Sequence, residues 1–405
     1  MSIEPGAASR PKGLPRNVWV VTATSFLTDI SSEMIFHLLP LFLANVLSVR
    51  TVVIGLIEGL AETTGSLLKL VSGWLSDRMG RRKKLAVAGY GLSALAKPVL
   101  AIAGSWPAVL LVRWAERVGK GIRTAPRDAL VADSIAESQR GLAFGLHRAG
   151  DTAGALLGTL AAMLVIWLTQ GSALTLARET FQIIVLLSII PAALAVLVLA
   201  LGAHDVPVAS TGEAPRLTWR GLDRRFRLFL LAVVIFTLGN SADAFVLLRA
   251  QERGLSPLGV MGMVASMNLV YALVAGPAGA LSDRIGRRWL IVFGWGLYAL
   301  IYLGFAVAQV GWQVWALFAI YGAYYGATEG VARAFVADLV PAQQRGSAYG
   351  LYHTLVGLSA FPASLLAGLA WQGVGAWQGF GPAAPFILGA GLAAAAVTVF
   401  AFARQ

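Results

Sequence analysis

Asp29 and Glu33 stand four residues apart inside an apolar run, with His37 four further on. At 3.6 residues per turn, this spacing puts all three on one helix face. Two carboxylates on a buried face repel each other and lose solvation, which favours holding a proton at working pH. The chemistry on offer is reversible proton binding. The stretch RWAERVGKGIRTAPRDALVAD, starting at Arg113, brings the opposite charge. Arg113, Arg117, Thr124 and Asp128 share one helical face; Glu116, Lys120, Arg123 and Arg127 share the neighbouring one. Arg117 is the expected partner of Glu33, so that a proton arriving there loosens the pair and drives rearrangement; a permanent salt bridge is the rival reading. Glu58 and Glu62 are again four apart, with Lys69 seven beyond Glu62. Glu58 falls towards the outer end, where solvation is cheap, and Glu62 and Lys69 fall deeper. His147 and Asp151 repeat the spacing with Arg148 between them, and Asn240, Asp243, Glu329, Arg333 and His353 follow. Glu329 and Arg333 read as an intrahelical ion pair. His147 reads equally as a proton relay or a packed ring, and His353 as structural. The expected proton-coupling set is Asp29, Glu33, Arg117 and Asp243. The expected cavity set is Glu62, Lys120, Arg123, His147, Asp151, Asn240, Tyr325 and Glu329.

These side chains need elements that hold charge inside apolar surroundings. Of 405 residues, 57% are hydrophobic and 13% charged, with mean hydropathy +0.72. A soluble domain is about a quarter charged. Twelve apolar stretches stand out, at about 18–46, 51–75, 84–104, 107–132, 141–169, 180–202, 227–250, 257–281, 289–309, 312–338, 346–370 and 381–403. Each can cross ~30 Å of hydrocarbon as a helix, which satisfies its own backbone groups. The expected fold class is therefore an all-α membrane protein with twelve transmembrane helices. Of the 32 basic residues, 19 fall in segments on the side of the termini, 4 in the opposite loops and 9 inside the spans. That bias places both termini in the cytoplasm. It also explains the net charge of +12 without a nucleic-acid partner. There is no cysteine, which excludes disulfides, thiolate nucleophiles and Cys metal sites. Met263 and Met267 form an M-x-x-x-M pair, which reads as flexible core filler rather than a Cu(I) site; no metal is expected. The polar start, MSIEPGAASRPKGLPRN, is not a cleavable signal.

The chain repeats itself. GWLSDRMGRRKKL from Gly73 returns as GALSDRIGRRWLI from Gly279, and VADSIAESQRGLAFGL from Val131 as VADLVPAQQRGSAYGL from Val336. The hydrophilic stretch 203–226 separates an expected six-helix bundle at 1–202 from a second at 227–405. Parallel halves of this kind place a substrate site at their interface near the midplane.

On these motifs the sequence resembles the major facilitator superfamily over nearly its whole length. The signature G-x-L-x-D-R-x-G-R-R appears as Gly73, Leu75, Asp77, Arg78, Gly80, Arg81 and Arg82, and again from Gly279 through Asp283, Arg284, Gly286, Arg287 and Arg288. The resemblance implies a cytoplasmic gate at these turns, joined by Asp133 and Asp338, which latches the halves and breaks as they rock. The fourth span is similar to the R-x-x-Q-G of proton-coupled drug antiporters, as Arg117 to Gly121 with Lys120 where Gln is usual. Gly150, Gly154 and Gly158 keep the small-residue rhythm of the fifth span, with Asp151 near where a Gly-Pro pair is usual. The implied function is a secondary active transporter, not an enzyme: an antiporter driven by the proton gradient, with no bound cofactor, exporting a small organic compound by alternating access. An anionic metabolite or a metal chelate of the siderophore type is the alternative cargo. No G-x-x-x-x-G-K-[ST] motif for nucleotide is present. The expected setting is a multi-pass protein of a bacterial inner or plasma membrane, monomeric, with the lipid bilayer and a small-molecule substrate as partners.

Overall fold

The computed structural model describes residues 14–79, 81–135, 140–206, 222–340 and 345–402. Among them are fourteen α-helices: α1 (Arg16–Phe36), α2 (Leu39–Asn45), α3 (Thr51–Met79), α4 (Arg82–Ile102), α5 (Trp106–Asp133), α6 (Arg140–Gln170), α7 (Arg178–Gly202), α8 (Arg224–Gly239), α9 (Ala244–Glu252), α10 (Pro257–Ile285), α11 (Arg287–Val307), α12 (Gly311–Asp338), α13 (Arg345–Gln372) and α14 (Ala384–Phe402). The pairs α1–α2 and α8–α9 each form one broken membrane-length unit. Each expected span falls on a helix or on such a unit. Ten of these segments are long and apolar enough to cross a membrane. The other two, α5 and α12, have 28 residues each but are less apolar. α5 carries the charged rows, and α12 is rich in Tyr and Gly.

α1 packs on α6 and α7, α4 on α5 and α7, and α3 on α5. In the same way α10 packs on α12, α11 on α12 and α14, and α8 on α13 and α14. These two sets meet chiefly along α3–α13 and α6–α10, with α2 touching α9. The α3–α13 seam is backbone against backbone. A Cβ on Gly55 would lie 2.2 Å from the Ser364 carbonyl oxygen, and one on Gly368 would lie 2.5 Å from that of Thr51. Only glycine allows so close an approach. The Thr63 hydroxyl donates to the Gly357 carbonyl across it at 2.6 Å. Within the first set, Gly154 and Gly158 play the packing role their spacing suggests, against the carbonyls of Phe26 and Ile30.

The end of the molecule holding Arg16 and Phe402 is here the near end, and the other the far end. At the far end Arg50 donates to the Gln372 carbonyl at 2.8 Å, and the Thr51 amide donates to the Gln372 side chain at 2.8 Å. At the near end, the two copies of the charged turn make matching contacts. Arg82 pairs with Asp133 at 2.6 Å, and Arg287 with Asp338 at 2.6 Å. Both pairs tie helices of one set together, α4 to α5 and α11 to α12. Gly286 has φ +90°, a region that favours glycine; Gly80, its counterpart, lies outside the described residues. Gly73 sits on α3 in contact with Ala125, and Gly279 sits on α10. The side chains of Asp77, Arg78 and Asp283 lie outside the described set, while Arg81 and Arg284 are exposed. The N-terminus of α4 is met by Asp205, whose carboxylate accepts the Lys83 amide at 2.7 Å.

Candidate functional site

The two broken units frame the far side of a lumen between the sets. α1 gives way to α2 at His37–Leu38, with Pro40 in the first turn of α2, a position where its missing N–H costs nothing. α8 gives way to α9 across Asn240, Ser241, Ala242 and Asp243. Short polar side chains of this kind compete with helical backbone bonds. Beside the breaks lies a cavity of about 220 Å³, lined among others by Phe36, Glu58, Glu62, Asn240, Asp243, Tyr321 and Tyr325. Glu58 is 3% exposed and accepts from Arg113 at 2.9 Å, so it does not sit in a solvated outer end. Arg113 also reaches Glu116 at 2.6 Å. Arg117 pairs with Glu62 at 2.5 Å, not with Glu33. The Arg113 and Arg117 guanidinium groups lie 4.3 Å and 5.4 Å from the Phe36 ring centroid, which helps to offset their burial. Asp243 accepts from the Tyr321 hydroxyl at 3.3 Å.

Closer to the near end lies a cavity of about 210 Å³, which shares Asn240 and Tyr325 with the first. Its other walls include Glu329, Arg333, Tyr352 and His353. Glu329 and Arg333 form the ion pair their spacing predicts. Glu329 also accepts from the Tyr271 hydroxyl at 2.8 Å, and that oxygen accepts from Arg148 at 3.0 Å. Tyr271 thereby links α6 of one set to α10 and α12 of the other. Sequence reasoning missed Tyr271, because nothing in its spacing marks it. His353 is exposed in the cavity wall, contrary to the structural reading.

A third cavity, of about 270 Å³, lies where α1 and α6 face α10. Asp29, Glu33 and Asp151 line it, with Arg148 as the one basic residue in its wall among the described residues. Glu33 contacts His37 at 3.2 Å, and Asp151 contacts His147 at 3.2 Å. Asp29 has no hydrogen bond or ion pair among the described residues. Two expected cavity residues turn elsewhere. Arg123 is buried, donates to Ser93 at 2.7 Å and lies over the Tyr90 ring. His147 is buried beside Ser25. Both are used to hold the first set together. Lys120 is exposed. Lys97, a residue that sequence reasoning passed over, is 4% exposed and donates to Ser31 and Ser32 of α1. A solitary lysine within an apolar span was the available signal.

Comparison with known proteins agrees with this architecture. The model of the Major Facilitator Superfamily matches residues 21–262 and 228–405. The chain is 36% identical to an uncharacterised MFS-type transporter of Methanocaldococcus jannaschii, over 89% of each chain. It is 24% identical to the multidrug resistance protein MdtG of Salmonella arizonae, over 78% of this chain and 79% of that one. In three dimensions it is similar to the nucleoside transporter NupG, with TM-score 0.78 at 14% identity, over 95% of this chain and 99% of that one. An all-helical chain with ten or more membrane-length units, a doubled charged turn and a polar lumen between two helix sets belongs to the Major Facilitator Superfamily, whose members are multi-pass membrane transporters.

Proposed function

We propose that the chain is a proton-coupled secondary transporter that moves a small organic compound by alternating access. In this reading the moving bodies are two six-helix bundles, 1–202 and 227–405, joined by the stretch 203–226. The observation that carries it is the third cavity. Three carboxylates, Asp29, Glu33 and Asp151, share one wall at the junction of the sets, with Arg148 the only basic residue lining it among the described residues. A charge at that depth is costly, so such carboxylates suit a proton relay. Asp29 is the lead candidate because no cation closes on it. Glu33 and Asp151, each held by a histidine, form the supporting pair, and Asp243 is a second candidate on the far cavity. The likeness to MdtG, a multidrug resistance protein, supports export as the direction, and with proton coupling this reading makes the mode antiport. The protein works as a monomer in a bacterial cell membrane, both termini cytoplasmic, with no bound cofactor and no metal.

The test is reconstitution into liposomes with a pH dye inside. Adding cargo should move protons in the wild type. Absence of any cargo-dependent proton movement across drug, organic-anion and metal-chelate panels would defeat the reading.

A further inference from the structure

We propose that the cargo is a small organic anion bearing carboxylate or phosphate oxygens, gripped by Lys69 and Lys120 of one helix set and Arg333 of the other. The inference rests on the transporter reading above and adds the chemical class of its substrate.

The helix contacts put these residues in one layer. A Cβ on Gly357 would lie 2.3 Å from the Ser66 Cβ, so one turn nearer the chain ends Lys69 stands level with His353 on the antiparallel α13. A Cβ on Gly121 would lie 2.6 Å from the Leu68 Cβ, which brings Lys120 to the level of Lys69. Arg333 and His353 line the same near-end cavity. Lys69 is within electrostatic reach of both, and of Lys120. All four side chains are exposed, although they sit well inside membrane-length helices.

In this layer Glu62 closes on Arg117, Asp128 on Arg127 and Glu329 on Arg333. The side-chain amines of Lys69 and Lys120 have no hydrogen bond or ion pair among the described residues; Glu62 is within electrostatic reach of both, and Asp29 and Glu33 of Lys120, but none closes on either amine. An ionised amine at membrane depth is retained only where something offsets its cost. An anion entering the lumen does so. It also changes the force between the sets: Lys69 of one and Arg333 of the other are within electrostatic reach, and an anion between them turns their repulsion into attraction. Closure around cargo then has a cause that is absent from the empty carrier. Arg117 and Arg123, the bases whose spacing first suggested an anion, are already committed elsewhere in the structure. Arg333 is paired with Glu329 but stands exposed in the cavity wall, so it and the two lysines are the groups placed to bind it.

The experiment is thermal unfolding of the purified full chain at fixed ionic strength, with titrations of citrate, glycerol 3-phosphate and tetraphenylphosphonium. At least one anion should raise the midpoint, and the first two arms separate carboxylate from phosphate recognition. Lys69→Gln and Lys120→Gln should each weaken that response at least tenfold, while Lys120→Arg keeps it. The inference is overturned if only tetraphenylphosphonium stabilises the protein, if neither anion does, or if the double variant K69Q/K120Q binds the anion as tightly as the parent. Liposome measurements separate this from the broader reading. Anion binding without proton movement defeats proton coupling and leaves the anion site standing. Proton movement driven by the cation alone does the reverse.

Discussion

Among the described residues the Asp29 carboxylate differs from those of Glu33 and Asp151 in having no side chain closed upon it, and this difference sets the order of the mutations. Asp29→Asn should abolish cargo-driven proton flux while cargo exchange at zero gradient persists, because exchange needs binding and rocking but no proton step. Glu33→Gln should do less, since it exchanges one hydrogen-bond partner of His37 for another. Proton flux and counterflow in the same liposomes check both; equal loss in the two variants would remove Asp29 from the lead position. Arg113 tests the structural charges. It holds Glu58 and Glu116 together in a site where all three are largely covered. Arg113→Ala leaves carboxylates uncompensated and should cost about 3–5 kcal/mol of stability. The double change Arg113→Met with Glu58→Met should recover much of it in denaturant unfolding.

At the scale of elements, the helical faces were legible and their neighbours were not. The four-residue spacings correctly grouped Glu329 with Arg333 and brought Asp29 and Glu33 to one cavity. Periodicity tells which side chains share a face, but not which helix packs there. For that reason Arg117 was assigned to Glu33 when the α3–α5 contact gives it to Glu62, and Arg123 was assigned to a cavity when α4 covers it. The repeat is legible because closely similar charged turns recur at nearly equal offsets, 206 residues from Gly73 to Gly279 and 205 from Val131 to Val336. The breaks at His37–Leu38 and at Asn240–Asp243 were not, because each lies inside a run apolar enough to pass for one helix. Two glycines are required for different reasons, Gly286 by its positive φ in otherwise open space and Gly55 by the Ser364 carbonyl against it. Gly286→Ala should cost about 1–3 kcal/mol, from strain at its positive φ, and should lower the midpoint in thermal unfolding. Gly55→Ala should push α3 off α13 at Ser364 and slow turnover more than it weakens cargo binding, as a split of kcat from KM in uptake assays would report.

For the whole molecule, alternating access requires the far-end contact between the sets to open in each cycle. The natural chain has no cysteine, so an added pair reports without background. Arg50→Cys with Gln372→Cys should be bridged by a short reducible thiol-reactive crosslinker, because the Arg50 side chain already spans that gap to the Gln372 carbonyl at 2.8 Å. Crosslinking should stop transport and cleavage of the linker restore it; full transport in the crosslinked protein would mean that this end never parts.

The α3–α13 seam bears on how the lumen widens. Where a glycine meets a carbonyl along this seam, the backbones touch with no side chain between them. In an alternating-access cycle the two helices can then rock about the middle of the seam like a see-saw, the Arg50–Gln372 end parting as the opposite end draws together.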